Sequence, residues 1–129
     1  MRRSDQRRAA VVALYQQDVT GRPMDDVLPR DATLFTKELV EGVEVEREEL
    51  DALIERHAEG WTLDRIAPLE RNILRVALHE LLHRSDIPDE VAIDEAVEQA
   101  KELCGADAPG FVNGILGAVH REREGANNH

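Results

Sequence analysis

A chain of 129 residues is long enough for one domain that buries roughly two-thirds of its unfolded surface. Its single cysteine, Cys104, excludes an internal disulfide and fits a reducing cytoplasm, and no apolar run approaches the ~20 residues that span a bilayer. The formal charge of -11 is uneven: residues 1–8 hold Arg2, Arg3, Arg7 and Arg8 against Asp5, and taking these from 16 basic and 27 acidic side chains leaves 12 against 26 in the remainder.

A cationic tip on an acidic body suits a polyanion at one end and a basic protein elsewhere, because opposite potentials steer such partners together. Ser4 is a candidate N-cap, and Ala10, Val11, Leu14 and Asp18 recur every three or four residues, which predicts a first helix over 4–18. The apolar stretch Ala9 to Tyr15 follows paired arginines as an export signal would, but Gln16, Gln17 and Asp18 end it early with no small-residue cleavage pattern, so it reads as part of that helix. Gly21, Pro23 and Pro29 make the next segment a connector.

From Asp31, a second candidate N-cap, the series Phe35, Leu39, Val43, Leu50, Leu53 and His57 predicts one long amphipathic helix ending at Gly60, with Glu46 the one interruption of its apolar stripe. Gly42 lies inside it, where glycine costs about 1 kcal/mol relative to alanine, so close packing or a break is expected there. Pro68 fits the first turn of a following helix that runs to about Arg84. Leu69, Ile73, Leu74, Val76, Ala77, Leu78 and Leu81 cover more than half its circumference and mark it as the centre of the fold. After Ile87-Pro88, the stripe Ile93, Val97, Ala100 and Cys104 predicts a helix closed by Gly105 as the residue after its C-cap. A last helix opens near Pro109, carries Val112, Ile115, Leu116 and Val119 inward, and gives way to a tail, 125–129, expected to fray. With only four aromatic residues, Tyr15, Phe35, Trp61 and Phe111, the core must be aliphatic. No period-two alternation and no internal repeat occur, so the expected class is all-α.

Three functional readings follow from these residues. Arg3 and Arg7 share a helical sector with Val11 and Leu14, which predicts that the first turns overhang the core and leave the arginines accessible. Arg8 lies two turns before Tyr15, so a guanidinium and a ring can line one strip, the combination that holds phosphates and unstacked bases of single-stranded RNA. Second, His79-Glu80-Leu81-Leu82-His83 matches the H-E-x-x-H pattern, in which two imidazoles at i and i+4 share a zinc ion and the glutamate acts as base, with Asp94 or Glu95 as a third ligand. Against it, His79 and His83 share a sector with Asn72 and Arg75 while Glu80 points to the apolar side, where a carboxylate paired with an arginine is the expected state. Third, the helices can serve as a protein-only scaffold with an idle N-terminus. Cys104 beside Leu103 reads as packing.

The segments Ala13-Leu14-Tyr15 behind the paired arginines, Trp61-x-Leu63, Leu69-Glu70-Arg71-x-Ile73-Leu74-Arg75-x-Ala77-x-x-Glu80-Leu81, Arg84-Ser85-Asp86-x-Pro88, Val91-Ala92-Ile93-Asp94-Glu95-Ala96 and Phe111-Val112-Asn113-Gly114-Ile115-Leu116 together resemble the NusB family of transcription antitermination factors. The resemblance covers nearly the whole chain. It implies two packed helical bundles forming one compact domain, and a non-enzymatic, cytoplasmic role without cofactor or metal. The implied partners are the boxA element of nascent ribosomal transcripts, bound as single-stranded RNA, the ribosomal protein NusE, and the RNA polymerase antitermination complex. By position, Arg2, Arg3, Arg7 and Arg8 match the arginine-rich RNA-binding start, and Tyr15 and Phe111 match aromatics near the RNA. Glu70 matches an acidic position facing NusE, and Asp64 is placed on the same surface. His79 stands where the family commonly has Tyr, which generates the zinc-like string. The apolar helix faces are equally compatible with a monomer core and a homodimer interface.

Overall fold

Residues 1–127 of the computed structural model are described, and among them the secondary structure is entirely helical. The order is α1 (Arg3–Thr20), α2 (Met24–Val27), α3 (Leu34–Val45), α4 (Arg47–His57), a 3-10 turn (Leu63–Arg65), α5 (Pro68–His83), α6 (Asp89–Leu103) and α7 (Ala108–Asn127). Helix α5 packs against α1, α3, α4, α6 and α7. It is shared by two bundles, α1–α3 on one side and α4, α6 and α7 on the other. Pro68 occupies its first turn, as its missing N–H allows. Leu14, Leu39, Leu50, Ile54, Ile73, Leu74, Leu78 and Leu116 are fully buried in the continuous aliphatic core.

Several element boundaries differ from the sequence reading. Helix α1 starts at Arg3, and Ser4 lies inside it with its hydroxyl donating to Glu95 at 2.8 Å. Helix α3 is capped by Thr33, whose Oγ1 accepts from the Thr36 N–H, and Asp31 lies outside. Helix α6 ends with Cys104 in an extended conformation, and Gly105 does not adopt a positive φ. Helix α7 continues through 125–127 of the expected frayed tail, whose last two residues, 128 and 129, lie outside the described residues.

The long helix expected from Asp31 to Gly60 is two helices that meet at Glu46. An unpaired carboxylate on an apolar stripe is costly to bury. The chain bends there, and Glu46 accepts from or pairs with His79 Nδ1 at 2.7 Å while lying 3.5 Å from His83 Nε2. Gly42 resolves as close packing, since a Cβ at that position would stand 2.1 Å from the His79 ring.

The face of α5 that carries Asn72, Arg75 and His79 is buried, contrary to an ordinary solvated polar face. Its groups are satisfied by carboxylates from other helices. Asp18 of α1 accepts from Arg71, Asn72 and Arg75 at 2.9–3.1 Å, and Arg75 also donates twice to Asp51 of α4 at 2.7 and 3.1 Å. Burial alone would raise the Asp18 carboxyl, but the hydrogen bonds from Asn72 and Arg71 and the charges of Arg71 and Arg75 outweigh it and hold the group below its ordinary value. A depressed carboxylate contributes stability above its unfolded pKa and loses it as pH falls through the folded one. Asp18→Asn is therefore expected to lower the thermal midpoint at neutral pH, with the gap to wild type closing below about pH 4. Parallel melting curves across that range check it.

Candidate nucleic-acid interface

The start of α1 is fastened to the body on several sides. Thr36 Oγ1 of α3 donates to the Gln6 carbonyl at 2.9 Å, and Ser4 reaches Glu95 of α6. Arg7 is only 4% exposed, which corrects the expectation that all four arginines stand clear of the core. Its Nε and Nη2 donate to the two oxygens of Glu80 at 2.8 and 3.0 Å, and Glu95 lies 3.8 Å from Nη1. The physical reason is the shared sector with Val11 and Leu14: α1 does not overhang, so a guanidinium at that position points into the protein and requires a buried anion. Glu80 supplies it.

The other three arginines remain at the surface. Arg2 is exposed and 3.7 Å from Asp5, and Arg3 is exposed with its guanidinium 4.1 Å from the centre of the Phe35 ring. Arg8 is partly exposed and ion-paired with Glu102 of α6 and with Asp5 at 3.4 Å. Tyr15, two turns along, is half-buried. The arrangement therefore places three guanidiniums at one end of the molecule on a rigid support.

Glu70 and Phe111 come together at a second location. With Trp61, Arg65, Asp107 and Ala108 they line a hollow of about 290 Å³. Burial, with the neighbouring charge of Asp107, raises the Glu70 carboxyl, and Arg65 is the one cation lining the same hollow. Asp64 does not line it. It is exposed in the 3-10 turn beside it and accepts from Thr62 Oγ1 at 2.6 Å, a bond that lowers its carboxyl. Trp61 and Asp107 were not singled out as site residues from the sequence; a lone tryptophan in a polar link, 52% exposed in the structure, was the available signal.

The zinc-like string does not form a peptidase site. His79 and His83 lie one turn apart, with ring centroids 6.0 Å apart, but the Glu80 carboxylate is engaged by Arg7 in the core and is not available as a base beside them. The imidazoles instead meet Glu46 and Glu49, His83 Nε2 lying 2.7 Å from Glu49. Burial, with the nearby charge of Glu70, pushes the Cys104 thiol up, away from nucleophilic chemistry.

The fold and these placements have counterparts among known proteins. The NusB family model matches residues 4–121. The chain belongs to the NusB family. The transcription antitermination protein NusB of Rubrobacter xylanophilus is 44% identical over 122 residues, which cover 90% of this chain and 88% of that protein. The solved structure of T. maritima NusB superposes with a TM-score of 0.86 at 34% identity, covering 95% of this chain and 92% of the other. A structure of the antitermination factors NusB and NusE in complex with dsRNA superposes with a TM-score of 0.83 at 28% identity, covering 93% and 96%. For this NusB-family chain, the all-α fold of two bundles agrees with the sequence expectation. No helix among the described residues is long and apolar enough to cross a membrane.

Proposed function

We propose that this NusB-family chain is an RNA-binding adaptor of processive transcription antitermination that binds the boxA element of nascent ribosomal transcripts as single-stranded RNA, together with the ribosomal protein NusE, within the RNA polymerase antitermination complex. The observation that carries the reading is the set Arg2, Arg3 and Arg8 displayed at the start of an α1 that is clamped to three other helices. Because the helix is held, its backbone needs no ordering on binding, and only the arginine side chains contribute that entropic cost. Arg7 acts through Glu80 by fixing this helix. Tyr15 and Phe111 offer ring faces to unpaired bases. Glu70, with Asp107 beside it, and Asp64 form the acidic surface for the basic ribosomal protein, and closer contact with a cation would draw the Glu70 carboxyl back down.

Anisotropy titrations of a labelled boxA RNA and a scrambled control, with and without NusE, test this reading. Tighter binding of boxA that strengthens with NusE is expected. Three phosphate contacts at about 0.7 each give a log–log salt slope near -2 on a single strand. Equal or absent binding of both RNAs at every salt concentration would leave a protein-only scaffold.

A further inference from the structure

Trp61 and Phe111 line two hollows at once. On one side lies the acidic hollow of Glu70 and Asp107. On the other, a groove of about 460 Å³ runs between the end of α4 and α7, lined by Arg56, His57, Arg121 and one acid, Glu59, with Gly110 and Gly114 of α7. Nothing stands within 4 Å of where a Cβ at either glycine would be. A flat ring can therefore lie against bare helix backbone there.

One cation of the groove lacks a partner. Arg121 is exposed, and among the described residues it makes no ion pair, while its neighbour Glu122 is taken by Arg56 at 2.7 Å. The Nε2 atom of His57 is shielded from solvent and lies 3.0 Å from the Glu122 carboxylate, so it is not open to a ligand. A half-exposed indole beside an unpaired guanidinium is the chemistry that binds single-stranded nucleic acid, with a π-face for a base and a fixed cation for a phosphate.

We infer that this groove is a second RNA subsite, in which a base stacks on Trp61 beside Phe111 and a phosphate sits on Arg121. The inference rests on the RNA-binding reading above and extends it to residues on α4 and α7. The aromatic pair then separates a hollow with two acids and one base from a groove with two arginines, a histidine and one acid, so RNA and a basic protein can occupy adjacent sites.

Trp61 is the only tryptophan in the chain, so its emission reports on the groove directly. Wild type, Arg121→Ala and Trp61→Leu are titrated with boxA RNA extended on both sides, following dye anisotropy for all three and tryptophan emission for the first two. Quenching that tracks the anisotropy curve is expected. Trp61→Leu should bind roughly tenfold more weakly, in line with the loss of one stacked base, and Arg121→Ala should reduce the log–log salt slope by about 0.7. If anisotropy rises while emission stays constant and Arg121→Ala binds like wild type, the subsite is refuted and the RNA-binding reading stands. If wild type gives no anisotropy change, both fall. Quenching by NusE alone, with no response to RNA, would assign the groove to the protein partner and overturn the inference.

Discussion

Arg7→Ala is expected to destabilise the protein by about 3–5 kcal/mol, the usual consequence of leaving one member of a buried ion pair without its partner. Glu80 is 1% exposed and receives two guanidinium bonds from Arg7, so the truncation strands a carboxylate in the core. It also removes a guanidinium 5.3 Å from the Phe35 ring centre and 3.8 Å from Glu95. The double variant Arg7→Met, Glu80→Met should recover most of the loss, because apolar residues of similar volume replace buried ion pairs at little cost. Urea denaturation of the single and double variants measures both effects. An Arg7→Ala midpoint equal to wild type would refute the burial argument. The same result separates two kinds of arginine in RNA assays: Arg8→Ala should weaken RNA binding with the denaturation midpoint nearly intact, whereas Arg7→Ala loses binding along with the fold of α1.

Gly42→Ala is expected to reverse the sign that helix propensity alone predicts. In an open helix interior this change stabilises by about 1 kcal/mol. Here the new Cβ would stand 2.1 Å from His79 Cε1 and 2.6 Å from Nε2. The ring has little room to move, since His79 is 5% exposed and held 2.7 Å from Glu46 at the junction of α3 and α4. A loss of about 1–3 kcal/mol follows, the typical penalty for overpacking. Adding His79→Ala to Gly42→Ala should remove that clash, so the pair should be nonadditive in thermal melts. Additive losses would mean that the penalty at Gly42 has a source other than the imidazole.

Both predictions arise where two residues violate the local pattern at once. Arg7 on an apolar sector and Glu80 on an apolar sector are separate anomalies along the chain, 73 residues apart. The carboxylate was expected to find an arginine, but nothing local identifies Arg7 as that arginine rather than a surface phosphate contact. Glu46 on one stripe, Gly42 one turn before it and His79 on α5 form a similar set. In each case a polar residue at an apolar position, Arg7 or Glu46, is explained by a polar partner on α5 far away in the chain.

Periodicity, proline and glycine were sufficient for the helical class, the central position of α5 and most core aliphatics, because burial of an apolar stripe repeats every three or four residues and is written locally; on α6, however, Ala92, Ala96 and Ala100 are buried while Ile93, Val97 and Cys104 are only partly so. The arginines and Tyr15 were legible from charge and helical spacing, and the family resemblance added Phe111, Glu70 and Asp64. Only the tertiary structure decided which arginines reach solvent, where the long helix breaks, and that Glu70 and Phe111 share one hollow with Trp61 and Asp107. Those outcomes depend on which charge meets which across helices, and the free energy of a buried ion pair or a close ring contact exists only when both partners are brought together.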